Sequence, residues 1–112
     1  MTEYIAVGAE WCSFSTRQKT AITDLKKDNV KMVMCQDSQQ NPIPHSDGSL
    51  EKDVCDAATD LRGYPTWFKK DSTGIAELKH GDKSLHFMAE DDICRRIDAA
   101  TGLTDECKTN TE

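Results

Sequence analysis

The apolar positions in the first third of the chain change from short continuous runs to helical spacing and back. Tyr4–Ala9 and Val30–Cys35 are short runs rich in strand-forming residues, and they predict two buried strands. Over Phe14–Lys27 the apolar residues recur on one face, which predicts an amphipathic helix. A strand, a helix and a second strand in this order favour parallel strands joined by a right-handed crossover.

The second part of the chain begins with a long polar stretch. Gln36–Ser49 contains proline, asparagine and glycine, which predicts a loop of about 14 residues, long for a compact domain. Helical spacing returns over Leu50–Leu61. Trp67–Lys70 and Ile75–His80 flank a Gly-containing turn and predict an antiparallel hairpin closed by Gly81-Asp82.

The last predicted element is a helix over Ala89–Ala100, with an alternative start as early as Ser84, and Gly102 marks its end. The predicted fold class is therefore α/β, with the order β-α-β-α-β-β-α and a four-stranded mixed sheet covered by helices on both faces. We expect one domain over residues 1–103 and a flexible polar tail over residues 104–112.

Charge narrows the classes of partner. The 112 residues carry a formal net charge of −6, so nucleic acid and anionic membrane surfaces are disfavoured. No apolar run approaches the roughly 20 residues that a membrane-spanning helix needs, so membrane insertion is not expected. Residues 1–8 lack the basic and apolar regions of a signal peptide, so we expect a cytoplasmic or organelle-lumen protein that is monomeric or held in a mixed-disulfide complex.

The cysteines are the main chemical feature. An odd number of them leaves at least one free thiol or one intermolecular partner. Their spacings of 23, 20, 39 and 13 residues do not form the close pairs of zinc sites, so no metal is expected. Cys94 is expected to pack on the last helix, and Cys107 to be an exposed tail thiol. The five cysteines are Cys12, Cys35, Cys55, Cys94 and Cys107.

Cys12 stands where the first strand ends and the first helix begins. Ligands of open α/β sheets gather at this end of the strands, and the helix start favours a thiolate through its free N–H groups and dipole. Ser15, one turn later, can donate a hydrogen bond to the Cys12 sulfur but cannot resolve a mixed disulfide. Cys12 and Ser15 are thus the predicted catalytic residues of a monothiol exchange completed by an outside thiol. The alternative is that Cys12 is a small buried apolar residue.

Two separated motifs carry a resemblance to a known family. Trp11–Ser15 resembles the W-C-x-x-C motif of the thioredoxin superfamily with its second cysteine replaced, and Gly63–Trp67 resembles the cis-proline loop. Within that superfamily, the chain is similar to the thioredoxin-like domain attached to vitamin K epoxide reductase homologues of bacteria and plants. That likeness extends to Asn41-Pro42, to Gly81–Leu85 and to the placement of Cys35 and Cys55.

The resemblance implies a thiol–disulfide oxidoreductase or isomerase that acts on protein thiols or glutathione and needs no bound cofactor. A cis bond before Pro65 would turn the backbone of Tyr64 toward Cys12, so that a substrate chain can pair there as an added strand. The resemblance also suggests a disulfide between Cys35 and Cys55, which would anchor the long loop. The alternative is two reduced core cysteines, which a cytosolic protein would favour. The implied substrate-binding residues are Trp11, Ser13, Phe14, Tyr64, Pro65 and Thr66.

The chain departs from the family pattern at two positions, and two alternative functions stay open. Ala6 stands where many thioredoxins have a buried acid, and Ser15 stands in place of the resolving cysteine, either natively or as an introduced replacement. One alternative function is a non-catalytic binding module of the same fold. Another follows from the similarity of Cys12–Ser15 to the C-G-F-S motif of monothiol glutaredoxins, which bind glutathione and an iron–sulfur cluster.

Overall fold

A computed structural model describes residues 2–107. A mixed four-stranded sheet with the strand order β2-β1-β3-β4 forms its centre, and β1 is parallel to β2 but antiparallel to β3. A separate two-stranded ribbon, β5 with β6, lies outside this sheet. The strands are β1 (Glu3–Ala9), β2 (Val30–Gln36), β3 (Thr66–Asp71), β4 (Gly74–Glu77), β5 (Lys79–His80) and β6 (Lys83–Ser84), and the helices are α1 (Ser13–Leu25), α2 (Leu50–Ala57) and α3 (Glu90–Thr101).

The helices cover both faces of the sheet because side chains alternate along its central strands. On β1, Tyr4 and Ala6 point into a cluster with Ile22 of α1 and Ile97 of α3. The alternate residues of β1 point into a second cluster that includes Val54 of α2. The predicted α/β class, mixed sheet and two covered faces are thereby confirmed, and none of the helices within residues 2–107 is long and apolar enough to cross a membrane.

The predicted second strand of the hairpin is shorter than expected. Ile75–His80 was predicted as one strand, but β4 ends at Glu77. Trp67 accepts the Leu78 N–H through its carbonyl at 2.9 Å and donates its own N–H to the Leu85 carbonyl at 3.2 Å. Because Leu85 occupies the next position beside β3, the chain after Leu78 leaves the sheet and pairs with β6, in a register that joins Lys79 to Ser84.

The two boundary alternatives for the helices are also resolved. Helix α2 ends at Ala57 rather than at the predicted Leu61, since Asp60 adopts a left-handed φ of 57° that a helix cannot continue through. Leu61 packs instead from the following loop against the cluster under α2. Helix α3 begins at Glu90, which excludes the early start at Ser84, and the predicted stop at Gly102 is confirmed by its φ of 74°.

Two disulfides join the cysteines other than Cys12. The predicted pair of Cys35 and Cys55 is present. Cys94 and Cys107 form a second disulfide, so the expectations of a packed thiol on α3 and an exposed tail thiol were wrong. The chain folds back after Gly102, which brings Cys107 to α3, a path that sequence spacing does not disclose.

The segment that ends at Cys107 is fixed to the amino end of the sheet. The Tyr4 hydroxyl donates to the Glu106 carboxylate at 2.6 Å, and the Asn29 side-chain amide donates to the Glu106 carbonyl at 2.6 Å. Asp98 on α3 accepts the Glu106 N–H at 3.1 Å. The rest of the predicted tail, residues 108–112, lies outside the described residues.

Candidate functional site

The site is built on the turn between β1 and α1. Cys12 is the N-cap of α1, and its N–H donates to the Ala9 carbonyl at 3.1 Å, which closes the turn. Its own carbonyl accepts the Ser15 N–H at 3.0 Å and starts the helix. The first turn of α1 contains no acidic residue, so the positive end of the helix dipole acts on the Cys12 sulfur without a competing carboxylate from that turn.

The loop before β3 lies against this cysteine. The peptide bond between Tyr64 and Pro65 is cis, as the sequence motif led us to expect. The Cys12 Sγ lies 3.7 Å from the Tyr64 carbonyl oxygen and donates a weak hydrogen bond to it. Two segments about fifty residues apart in sequence therefore meet at the sulfur, and Cys12 is only half-buried, which leaves one side open to a substrate.

Ser15 has a different role from the one expected. It is fully buried, and its hydroxyl oxygen accepts the backbone N–H of Ala9 at 3.1 Å. Within residues 2–107 no hydrogen bond joins this hydroxyl to the Cys12 sulfur, so the predicted thiolate donor is not observed. Ser15 instead satisfies a buried amide at the end of β1, which holds the turn under Cys12 in place.

Gly8 explains how α1 comes so close to β1 at this point. A Cβ on Gly8 would lie 2.8 Å from the Cβ of Ser15 and 2.5 Å from the terminal methyl of Met32, closer than real side-chain atoms approach. The absence of a side chain on Gly8 therefore makes the space that Ser15 occupies. Glycine at position 8 therefore matters to the site, because the close approach of Ser15 to Gly8 positions the first turn of the helix that Cys12 precedes.

Aromatic side chains form one rim of the site. The rings of Trp11 and Tyr64 contact each other edge to face, with centroids 5.8 Å apart. The Trp11 indole N–H donates to the Gln36 side-chain oxygen at 2.8 Å. Sequence reasoning missed Gln36, although the ends of adjacent parallel strands meet at one edge, and Ala9 of β1 pairs with Gln36 of β2.

A second aromatic group forms around Phe14. The Phe14 side chain is 48% exposed and contacts the Phe87 ring, with centroids 5.9 Å apart. The Arg17 guanidinium lies over both rings, 5.4 Å from the Phe14 centroid and 4.8 Å from that of Phe87. These are cation–π distances, so Arg17 orders the pair. The sequence motif pointed to Phe14, but nothing local indicated Phe87.

Two of the expected substrate-binding residues are buried in the loop itself. Pro65 is buried, and Thr66 is buried with its hydroxyl donating to the Gly63 carbonyl at 2.6 Å. His86, which sequence reasoning left without a role, lies with Nδ1 3.0 Å from the Pro65 carbonyl oxygen. Since a carbonyl oxygen only accepts, Nδ1 carries the proton there. Thr66 and His86 thus hold the loop, while Ser13 and Phe14 are exposed beside Cys12.

The remaining sulfurs do not join Cys12. Within residues 2–107, Cys12 is the single cysteine outside a disulfide. No group of three or more histidine, cysteine or carboxylate side chains in this part of the chain is arranged to hold a metal ion.

Comparisons with protein-family models, with curated proteins and with solved structures each give no match. The resemblance carried by Trp11–Ser15 and Gly63–Trp67 therefore stays a prediction, and the function is argued from the geometry around Cys12.

Proposed function

We propose that this protein carries out thiol–disulfide exchange through Cys12, as a monothiol member of the thioredoxin fold class. The observation that carries the proposal is the position of the one free thiol in residues 2–107. It belongs to the N-cap residue of α1, which is half-buried, and its sulfur lies 3.7 Å from the Tyr64 carbonyl oxygen. A thiol in a helix-start environment of this kind is typical of reactive cysteines.

The exchange proceeds in two steps that need one outside thiol. The Cys12 thiolate attacks one sulfur of a substrate disulfide, a bond forms between these sulfurs, and the second substrate sulfur leaves as a thiolate that takes up a proton. Because Ser15 holds no thiol, an external thiol such as glutathione attacks the substrate sulfur of the mixed disulfide. A disulfide forms between the external thiol and the substrate sulfur, the bond between that sulfur and Cys12 breaks, and Cys12 leaves as a thiolate.

The arrangement of the elements supports the fold assignment within this proposal. A parallel βαβ unit is followed by a helix, an antiparallel pair of strands and a final helix. The cysteine lies after the first strand, and the cis peptide bond lies before the third. That the two sequence motifs meet at Cys12 supports the proposal.

The paired cysteines favour an oxidising place of action. Disulfides persist in organelle lumens and outside the cell but are rare in reducing compartments. This chain has two of them, Cys35–Cys55 and Cys94–Cys107. Of the two locations expected from the sequence, we propose the organelle lumen, where substrate disulfides are also available to Cys12.

The test is adduct formation by the native protein. With oxidised glutathione, we expect one glutathione adduct per chain, located on Cys12 by peptide mass mapping and removed by added reduced glutathione. Cys12→Ser is the matched control and should form none. An unmodified Cys12, or an adduct distributed over other cysteines, would contradict the proposal.

A second variant tests the missing resolving step. The unaltered chain should show no catalytic turnover in insulin reduction with a dithiol reductant, whereas Ser15→Cys should gain it. We expect the variant to lose some stability, since a thiol is a weaker acceptor for the Ala9 N–H than the hydroxyl. Turnover equal to that of the unaltered chain, with folding confirmed by circular dichroism, would show that Ser15 does not limit the reaction.

The exposed aromatic groups favour one second candidate, a binding module with little turnover. Trp11 and Phe14, one residue before and two residues after Cys12, are 43% and 48% exposed, and exposed aromatic residues are enriched at protein-binding surfaces. This candidate predicts a partner complex that survives Cys12→Ala, whereas exchange predicts its loss. The iron–sulfur alternative gains no observation of its own from residues 2–107 and stays a prediction.

A further inference from the structure

A groove of about 350 Å³ lies between α1 and the segment that leads into α3. Its surface is mainly apolar, and Ala21, Phe87 and Ala89 contribute to that part of it. The other residues that line it are Arg17, Thr20, Asp24 and Glu90. This α1–α3 groove therefore combines apolar surface with a few charged groups, which is the composition of protein-binding surfaces.

The wall of the groove at residues 87–89 is fixed by a buried side chain of α1. The Gln18 side-chain amide donates to the Met88 carbonyl at 2.8 Å, and its oxygen accepts the Met88 N–H at 2.8 Å. Both residues are buried. The Arg17 guanidinium also lies over the Phe87 ring, 4.8 Å from its centroid. The groove is therefore formed in advance, and a partner does not have to order its walls on binding.

The groove leads away from Cys12. Arg17, Ala21 and Asp24 recur at intervals of four and three residues, so they follow one face of α1 over about two turns. Asp24 is twelve residues after Cys12 and lies about 18 Å further along the helix axis. A partner that fills the groove therefore occupies a surface separate from the Cys12 sulfur and its cis-proline loop.

The two carboxylates of the groove are uncommitted. Asp24 and Glu90 are exposed, and neither forms an ion pair or a side-chain hydrogen bond within residues 2–107. Arg17, the cation that lines the groove, lies over the Phe14 and Phe87 rings instead. The groove thus presents two free negative charges beside apolar surface. This pattern is complementary to a segment in which basic residues flank apolar ones.

We propose that the α1–α3 groove docks an amphipathic helix of a basic partner protein. Its aliphatic side chains pack on Ala21 and Phe87, and its lysine or arginine side chains meet Asp24 and Glu90. Helices that dock in grooves place apolar anchors every three to four residues, and the groove residues of α1 recur at the same spacing. A second copy of this chain is disfavoured as the occupant, because each copy carries a net charge of −6. Docking goes beyond the exchange at Cys12 and does not need its thiol.

The test measures binding of a model helix by fluorescence anisotropy. The probe is a fluorescein-labelled, alanine-based peptide of about 18 residues, long enough to form a helix, with leucine every three to four residues and lysines beside them. One control peptide has alanine in place of the leucines, and the other has glutamate in place of the lysines. We expect the unaltered chain to bind the probe at least about tenfold more tightly than either control peptide.

Charge reversals separate the groove from the overall charge of the chain. For Asp24→Lys and Glu90→Lys we expect about fivefold weaker binding of the lysine peptide and tighter binding of the glutamate peptide. Glu51→Lys is the matched control. Glu51 is an exposed acid in the first turn of α2, as Glu90 is in that of α3, but α2 covers the other face of the sheet. It changes the net charge equally and should change neither affinity.

The outcomes distinguish docking from exchange. If Glu51→Lys weakens the lysine peptide as much as the two groove variants do, the attraction is to the overall charge and the groove is not the site. Equal binding of the peptide without leucines would likewise overturn the assignment, as would the absence of saturable binding to the unaltered chain. Cys12→Ser should bind the probe as the unaltered chain does, so that a failure of exchange and a failure of docking are observed separately.

Discussion

The hydroxyl oxygen of Ser15 accepts the backbone N–H of Ala9 at 3.1 Å, and this bond joins the first turn of α1 to the last residue of β1. Both residues are fully buried. Ser15, which stands where the proposed family has a resolving thiol, thus supports the turn that carries Cys12. This one hydrogen bond should therefore affect both the stability of the fold and the reactivity of Cys12.

Ser15→Ala should lower the free energy of unfolding by about 1–3 kcal/mol, because it leaves the buried Ala9 N–H without an acceptor. Urea denaturation followed by far-UV circular dichroism measures the loss. Ser13→Ala, an exposed serine two residues earlier in the same helix, is the control and should change little. Equal stability of the two variants would show that the Ala9 amide finds another partner, such as water.

Gly8→Ala should also lower stability, by about 1–3 kcal/mol, since the new methyl group overlaps Ser15 and Met32. Gly63→Ala is the matched control, because a Cβ there meets no atom within 4 Å and its backbone does not take the left-handed φ that a side chain would strain. Urea midpoints of both variants are the measurement. If Gly63→Ala were destabilised and Gly8→Ala were not, the overlap with Ser15 and Met32 would not be what requires glycine at position 8.

The free energy of unfolding should fall at alkaline pH because of Tyr4, at the amino end of the sheet. Burial, then the hydrogen bond to Glu106 and the charge of that carboxylate, raise the pKa of Tyr4 above its ordinary value. The folded chain therefore keeps a proton that the unfolded chain loses. This contribution is fully present below the ordinary phenol pKa of about 10 and is lost as the pH rises above it.

Tyr4→Phe isolates this effect. The variant should be about 1 kcal/mol less stable near neutral pH, through loss of the hydrogen bond to Glu106. Its stability should fall less steeply than that of the unaltered chain above pH of about 10. Both curves are best measured with Cys12→Ser in the background, which prevents disulfide exchange at high pH. Parallel curves over the whole range would contradict a protonated Tyr4 in the folded state.

Each disulfide should contribute comparably to stability but differently to the site. The chain-entropy model assigns about 3 kcal/mol to a loop of either size, since the sequence separation is 20 for Cys35 and Cys55 and 13 for Cys94 and Cys107. We expect the double serine variant at Cys35 and Cys55 to slow the reaction of Cys12 with a peptide disulfide, because Cys35 is next to Gln36, whose side chain accepts the Trp11 indole N–H beside Cys12. The matching variant at Cys94 and Cys107 should lose stability alone. Unfolding midpoints and peptide rates measured on both variants decide this, and equal rates would remove the link between the first disulfide and the site.

The sequence predicted the elements that depend on local periodicity and missed those set by distant partners. The central strands and all three helices follow from apolar spacing. The end of the second hairpin strand does not, because it is set by Leu85, whose carbonyl accepts the Trp67 N–H and which therefore occupies the next position beside β3. The Cys94–Cys107 disulfide was missed for the same reason, since it needs the chain to fold back after Gly102.

The same division holds for the site. Cys12 and Tyr64 were found because each lies in a motif that marks its own segment. Gln36, Phe87 and His86 were not found, because they reach the site from other parts of the chain and have no local signature. Burial also could not be read from the motif, so Ser15 and Thr66 were expected to contact sulfur or substrate although both are enclosed.

The attachment of Glu106 to Tyr4 near the start of β1, and of Cys107 to Cys94 on α3, has a practical consequence. Cys12 follows the other end of that seven-residue strand, so the two points are separated by roughly 20 Å along the strand. A surface or affinity handle joined through the residues after Cys107 would leave the Cys12 face turned toward solution. Immobilised in this way, the protein could capture substrate proteins as mixed disulfides without its support blocking their approach.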